Sequence, residues 1–378
     1  MKKQFVLFLT ILLILPLSGC WNRREIGKIA IVMGFAVDKG EEDEIDITAQ
    51  IANTRTIAAS ENSGKDGEAK PYLNLTSRGE YIFPSIRSSV TKSGAKLYMA
   101  HNYVVLFGEE LAKSGLGNYM DFFLRDHELR LDMHLLVAQG RAADVLDVNA
   151  GFQSIPALHI NDLIKAQKQL STGMTVTVFD FMNQLTLERT APKIPIIEID
   201  DSSENKVLRM SGTAVFQKDK MVGKLNEKET RGYLWAANAA REAVVVAHPD
   251  GDSIGIEVVR ANGKITAETD DKGQVTMVIR TEAEGSLGSQ RGNRNYTTKE
   301  GLDTLLTAFA GEIESEIQAC LKKSRALHAD VFGFGDVLYR HYPDLWEKLQ
   351  NREMYNLPVR IEVKTRLDSS GRIGAPVE

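Results

Sequence analysis

The spacing of apolar positions along the chain changes several times, and each change marks an element. From Glu44 to Ile51 apolar residues alternate (Ile45, Ile47, Ala49, Ile51). Together with the β-rich run Lys28 to Asp38 and a Lys39-Gly40 turn, this predicts a β-hairpin. Thr54 to Lys70, rich in Ser, Gly, Asn, Asp and Lys, reads as a mobile loop. Then come a strand at Leu73 to Ser77, a helix from Tyr81 to Lys92, a strand pair within Lys96 to Phe107 and a helical stretch from Glu109 to Leu124. Leu131 to Ala138 reads as a buried strand. Ala142 to Val148, Ile155 to Leu170 (Ser154 capping, Pro156 in the first turn) and Val176 to Leu187 read as helices, and Lys193 to Asp200 as a closing strand. The polar run from Asp200 to Asn205 is the clearest domain boundary.

The second half restarts with a hairpin, Gly212 to Phe216 and Met221 to Leu225, turning at Lys218-Asp219. A helix follows from Asn226 to about Arg241, with Glu229 placed to complete a capping box. Ile254 to Arg260 and Lys264 to Glu268 flank Asn262-Gly263, the favoured two-residue hairpin turn. Val275 to Ala283 alternates as a strand, and Gly285 to Thr297 reads as a loop. Leu302, Leu305, Leu306, Phe309, Ile313, Ile317 and Leu321 recur at three and four, one stripe of a long helix. Short helices around Asp336 to Arg340 and Pro343 to Leu349 lead to a last strand, Pro358 to Leu367. Strands and helices mix without strict β-α alternation. The expected fold class is therefore α+β: mixed, mostly antiparallel sheets with packed helices, in two domains (28–200 and 207–378) with room for a third.

The N-terminus carries the sharpest motif. Met1-Lys2-Lys3 is basic, and Phe5 to Leu17 is an almost unbroken apolar run of 13 residues, too short to span a bilayer core as a helix. The run ends in Leu17-Ser18-Gly19-Cys20. An aliphatic residue and two small residues before a cysteine form a bacterial lipobox: the small side chains fit the signal peptidase and the thiol accepts diacylglycerol. The pattern predicts a signal peptide over 1–19, an S-diacylglycerol cysteine at Cys20 with its N-acylation open, and a lipidated tether over 20–27. Trp21, Arg23 and Arg24 beside the lipid suit either the headgroup region or a solvated tether. No later segment reaches 18 consecutive apolar residues.

Composition narrows the function classes. Of the 378 residues 43% are hydrophobic and 26% charged, ordinary for a globular chain. Lys+Arg is 46 against Asp+Glu 51, net -5, which argues against a nucleic-acid partner. Two cysteines, Cys20 and Cys320, exclude a disulfide scaffold and Cys-rich metal sites. Cys320 lies on the apolar face of the long helix and reads as buried packing. There is no phosphate loop, nucleophile elbow or metal-binding histidine spacing. Asp126-His127-Glu128 with Asp132 and His134 is the densest titratable cluster and reads as a solvated turn entering a strand. Glu41 to Glu44 reads as a solvated acidic turn. No catalytic residue, metal site, cofactor or ligand-binding residue is assigned.

Cys20-Trp21-Asn22-Arg23-Arg24-Glu25-Ile26 resembles the start of mature Ger(x)C family lipoproteins, with Asn22 where the family has Asp. Gly34-Phe35-Ala36-Val37-Asp38 and His101-Asn102 are also similar to the family. The most distinctive run is Ser211-Gly212-Thr213-Ala214-Val215-Phe216 with Leu225-Asn226-Glu227-Lys228-Glu229-Thr230-Arg231-Gly232. The resemblance implies a non-enzymatic C subunit of a nutrient germinant receptor. Such a subunit is lipid-anchored on the outer face of the spore inner membrane and acts with integral membrane A and B subunits; only Cys20 transfers as a functional position. The alternatives are a solute-binding lipoprotein of a transporter and an exported lipid-anchored enzyme. The first wants two lobes of regular β-α alternation, the second motifs that this chain lacks.

Overall fold

The computed structural model describes residues 3–4, 29–54, 56–57, 70–148, 153–202, 206–296 and 298–369. Cys20, its tether and most of the stretch from Thr54 to Lys70 lie outside them. The first half supplies strands β1 (Ile29–Lys39), β2 (Ile45–Ala52), β3 (Tyr72–Gly79), β4 (Lys96–Tyr98), β5 (Val104–Gly108), β6 (His134–Ala138) and β7 (Lys193–Asp200). Its helices are α1 (Ile82–Ser93), α2 (Glu109–Ser114), α3 (Gly117–Arg125), α4 (Ala142–Val145), α5 (Pro156–Leu170) and α6 (Val178–Leu187). The second half begins with β8 (Val207–Gln217), β9 (Lys220–Leu225) and α7 (Glu227–Ala236). It continues with β10 (Ala243–Ala247), β11 (Ser253–Thr269), β12 (Val275–Arg291), α8 (Lys299–Ala326), α9 (Phe334–His341), α10 (Pro343–Leu349) and β13 (Val359–Ser369).

One sheet runs β3-β2-β1-β5-β6-β7-β8-β9, with β4 also on β1. Its middle is parallel (β1, β5, β6, β7) and its flanks are antiparallel. Every residue of β5 is buried, because both faces are covered. Val104 and Leu106 join Ala142, Val145, Ala157 and Ile160 of α4 and α5 on one face. Val105 and Phe107 join Ile86, Leu111, Met120, Phe123 and Phe181 of α1, α2, α3 and α6 on the other. The second sheet, β10-β11-β12-β13, is mixed: its last pair is parallel and the others antiparallel. α7 and α8 cover one face with a core that includes Trp235, Leu305, Phe309, Ile313 and Ile317. A ladder of ion pairs links the strands of this sheet: Arg280 to Glu268 at 2.6 Å and to Glu362 at 2.7 Å, Arg366 to Glu284 at 2.6 Å. The α+β class with mixed sheets and packed helices is the observed one.

β8, the next strand after β7, pairs back on β7 antiparallel. The hairpin that opens the second half therefore extends the sheet of the first. Chain direction then changes at Asn226, whose side chain accepts from Glu229 N at 2.8 Å while Glu229 accepts from Asn226 N at 2.8 Å. This is the capping box that the sequence predicts, and α7 enters the second core from it.

Several expectations are corrected. β4 and β5 do not pair with one another; both lie parallel to β1. Glu109 to Leu124 is two helices, broken at Gly115. Ser154 does not cap α5: Gln50 reaches over from β2 and accepts Ala157 N at 2.9 Å, so the helix start is satisfied from a distant strand. Asn262-Gly263 is not a turn, and Gly285 to Arg291 is not a loop; β11 and β12 each continue for 17 residues through them. The end of α7 presses onto the strand at Gly263, where an added Cβ would lie 2.0 Å from the Trp235 carbonyl oxygen. That glycine serves close packing rather than a turn.

Gly263→Ala should therefore cost about 1–3 kcal/mol of unfolding free energy, because the strand or α7 must shift. Asn262→Ala should cost far less. Urea denaturation of the two variants distinguishes this packing role from a turn, in which both residues would matter.

Candidate functional site

The sequence places one functional residue, Cys20, which lies outside the described residues. The other stretches that drew attention have internal roles. In Gly34 to Asp38, Phe35 and Val37 face one layer and Ala36 the other. Asp38 is buried, and its carboxylate accepts from Ala142 N at 2.7 Å and Ala143 N at 2.9 Å, holding the start of α4. Burial pushes the Asp38 pKa up against the pull of those two N–H groups. Asn102 is buried beside Met133, with its amide nitrogen 3.0 Å from the sulfur.

The run from Ser211 to Gly232 fastens β8, β9, α7 and α8 together. The Thr230 hydroxyl donates to the Thr213 hydroxyl at 3.1 Å, joining α7 to β8. At Gly232 an added Cβ would lie 2.0 Å from the Glu316 carbonyl oxygen, so α7 touches the α8 backbone there. The Arg231 guanidinium forks onto the Glu316 carboxylate, with Nε 2.8 Å from Oε2, and the indole N–H of Trp235 donates to the same oxygen at 2.7 Å. Glu316 is 3% exposed. Its charge is held inside by a bidentate cation and an aromatic donor.

A second seam joins residues 189–193 to residues 328–336. Ala191 N donates to the Asp330 carbonyl at 2.9 Å. Arg189 stacks over the Tyr339 ring at 3.3 Å. Lys193, the first residue of β7, is 3% exposed and donates to the carbonyls of Ala191 at 2.7 Å and Val331 at 3.0 Å. Burial lowers its pKa to about 8, with the Asp330 carboxylate opposing the shift. Asp330 in turn accepts from Phe334 N at 3.0 Å and Gly335 N at 2.9 Å at the start of α9. Cys320 is a buried free thiol in the same core, and burial holds it protonated.

The titratable cluster from Asp126 to His134 does not converge. Glu128 pairs with Lys96, Asp132 with Arg130, and His134 opens β6. Among the described residues no group of three His, Cys, Asp or Glu side chains is placed to hold a metal.

One concave surface stands apart from these internal contacts. A cleft of about 890 Å³ lies between the β1–β2 turn, the start of α1 and α3. Glu42, Asp43, Glu80, Asp121 and Asp126 line it together with Tyr81, Phe83, Tyr119 and Phe122. Two acidic runs that the sequence presents as separate solvated turns, Glu41 to Glu44 and Asp126 to Glu128, contribute to one wall system. The sequence gives no signal for this meeting, because it is made by tertiary packing of three segments.

Comparison with known proteins places this frame. Residues 22–199 match the family "Spore germination protein N-terminal domain", and residues 211–371 match "Spore germination B3/ GerAC like, C-terminal". The chain belongs to the GerAC family of spore germination proteins. Spore germination protein KC of Bacillus subtilis (strain 168) is 25% identical over 400 residues, covering 100% of this chain and 98% of that protein. Spore germination protein B3 of the same organism is 24% identical and covers 89% of each chain. The solved structure titled "Crystal Structure of the GerBC protein" superposes with a TM-score of 0.55 at 20% identity, over 89% of this chain and 97% of that one, a likeness of fold. This GerAC-family chain thus has its role in spore germination. The C-terminal match opens at residue 211, where the run that fastens α7 to α8 begins.

Two outcomes follow from the seams. Arg231→Met strands the buried Glu316 carboxylate and should cost about 3 kcal/mol in urea unfolding; Glu316→Gln, which keeps an acceptor for Trp235, should cost less. Lys193 titrates near pH 8 when folded and near its ordinary 10.5 when unfolded. Between those values the unfolded chain binds more protons, so stability rises with pH across this window and the penalty is full below pH 8. The unfolding free energy of wild type minus Lys193→Met should climb by up to about 1.4 kcal/mol per pH unit between pH 8 and 10. A flat difference would show that the ammonium keeps its ordinary pKa.

Proposed function

We propose that this chain is the membrane-anchored, non-enzymatic C subunit of a spore germinant receptor, held at the outer face of the spore inner membrane and acting with integral membrane A and B subunits. The observation that carries the reading is the match of both spore germination domains along nearly the whole chain. The lipobox at Leu17 to Cys20 supports the anchoring part. On this reading residues 1–19 are the signal peptide and residues 20–27 the lipidated tether. The two domains are taken as residues 28–200 and 207–378, with the β8–β9 hairpin of the second extending the sheet of the first.

Anchoring rests on acyl chains. Among the described residues no helix is long and apolar enough to cross a membrane. One acyl chain gives only reversible attachment, whereas two hold a protein stably, at about 0.8 kcal/mol per buried methylene. Trp21, Arg23 and Arg24 contribute a few kcal/mol at most. The membrane subunits are the partners such a subunit would work through, across an interface of at least ~1,000 Å².

Cys20→Ala should block lipidation and leave the precursor uncleaved, mislocalised or degraded, with the folded part unchanged because Cys20 precedes β1. Mass spectrometry of the native N-terminus checks this, and an unmodified Cys20 on the membrane-bound protein would overturn the anchor. Mild-detergent purification from spore membranes should recover A and B subunits with this chain. Recovery of neither would count against the receptor reading.

A further inference from the structure

The cleft between the β1–β2 turn, α1 and α3 combines two chemistries. Its apolar element is aromatic and open to solvent: Tyr81 and Phe83 keep 67% and 46% of their surface exposed, and Phe83 lies 6.3 Å from Phe122 between ring centres. Exposed aromatic rings in a concave site are anchors for a partner's side chains rather than parts of a monomer's core. Its rim is acidic. Of its two arginines, Arg125 is taken by Asp121 at 2.7 Å, and Arg87 lies over the Phe83 ring at 4.9 Å. Among the described residues no basic side chain pairs with Glu42, Asp43 or Glu80, so the rim keeps a negative excess. Arg87 also shows what the rings accept: a guanidinium seated on an aromatic face.

About 890 Å³ exceeds what a single ion needs and suits a peptide segment of several residues. Anionic headgroups and acidic peptides would meet like charge at the rim, and like-charge juxtaposition suppresses wrong partners. A segment with Lys or Arg side chains along one face and apolar side chains along the other would satisfy both the rim and the rings. We propose that this cleft is the docking site for a basic, amphipathic peptide segment of an integral membrane partner. The identity of that partner rests on the receptor reading above; the chemistry of the cleft does not.

The test uses the detergent-solubilised full chain and short synthetic amphipathic peptides. One carries Arg on one face and Leu and Trp on the other, a second has Glu in place of each Arg, and a third has Ser in place of each apolar residue. Fluorescence anisotropy should show binding of the first at least about tenfold tighter than of either control. Tyr81→Ser with Phe83→Ser should weaken it at least about tenfold. Glu42→Gln with Asp43→Asn and Glu80→Gln should weaken it and flatten its fall between ~50 and ~200 mM salt. These side chains are exposed, so the variants should keep the wild-type melting temperature. Equal binding of the Arg and Glu peptides, or full binding by the variants, overturns the proposal. So does binding that appears only after deletion of residues 21–28, which would give the cleft to the chain's own Trp21 to Lys28 segment. In native spore membranes, a photo-crosslinking residue at Phe83 should capture an integral membrane subunit at a basic soluble segment, while one at the exposed Val259 should not. A receptor complex that co-purifies intact without a Phe83 product overturns the docking site and leaves the receptor reading standing.

Discussion

The seating of α7 on α8 is the contact on which the rest of the second half depends. Chain direction reverses at Asn226, so β9 belongs to the first sheet and the next residues belong to the second core. That passage works only if α7 can lie against the α8 backbone, which Gly232 permits, and only if the charge brought with it is matched. Arg231 and Glu316 match each other, and the Trp235 indole N–H donates a second hydrogen bond to one carboxylate oxygen. The far end of α7 then presses on β11 at Gly263. A ten-residue helix thereby touches both sheets and the long helix. The desolvation cost of a buried carboxylate is offset here by a fork of hydrogen bonds that fixes the angle of the helix as well as its depth.

The second seam has a different character. Lys193 is buried with its ammonium on backbone carbonyls, so it can only be placed where the 189–193 and 328–336 segments both approach it. An apolar residue would pack there with less loss, since an ammonium must shed water. What Lys193 adds is direction: its donors reach Thr190 and Ala191 on its own segment and Val331 on the other, which ties the start of β7 to the turn that opens α9. Asp330 works in the complementary sense, accepting from the first N–H groups of α9 while its own carbonyl takes Ala191 N.

What could be read in the sequence is what local chemistry decides. The Asn226–Glu229 box, Pro156 in the first turn of α5 and the stripe from Leu302 to Leu321 are set by neighbours three or four residues apart. Asn262-Gly263 was misleading because the same dipeptide serves a tight turn and a close approach. Only α7, packed on it from more than twenty residues upstream, separates the two. Gln50 capping α5 from a distant strand is likewise beyond any local pattern. The parallel middle of the first sheet is set by the pairing of strands far apart in sequence. At the candidate site the division is the same. The Leu17 to Cys20 motif is contiguous, so a lipid site can be proposed from sequence alone, whereas Glu316 is an ordinary helix-surface residue in sequence until Arg231 arrives beside it. The cleft exists only after three segments meet.

Confinement at a membrane changes what a surface cleft must achieve. On the receptor reading, the lipid supplies the standing attachment, and a tether as short as residues 20–27 keeps the folded part near its partners at an effective concentration on the order of millimolar. A contact with an intrinsic Kd of ~100 μM would then be largely occupied without any need for the large apolar interface of an obligate complex. An acidic rim with exposed aromatic anchors suits that regime. Its charges select partner and orientation, its rings supply contact energy, and neither requires an apolar surface large enough to cause aggregation when the chain is alone. A packed core inside and a modest, selective surface outside are therefore two sides of one requirement: Ile45, Ile82, Ile86, Met120 and Phe123 share one core and hold together the segments that form the cleft, because a lipid anchor cannot.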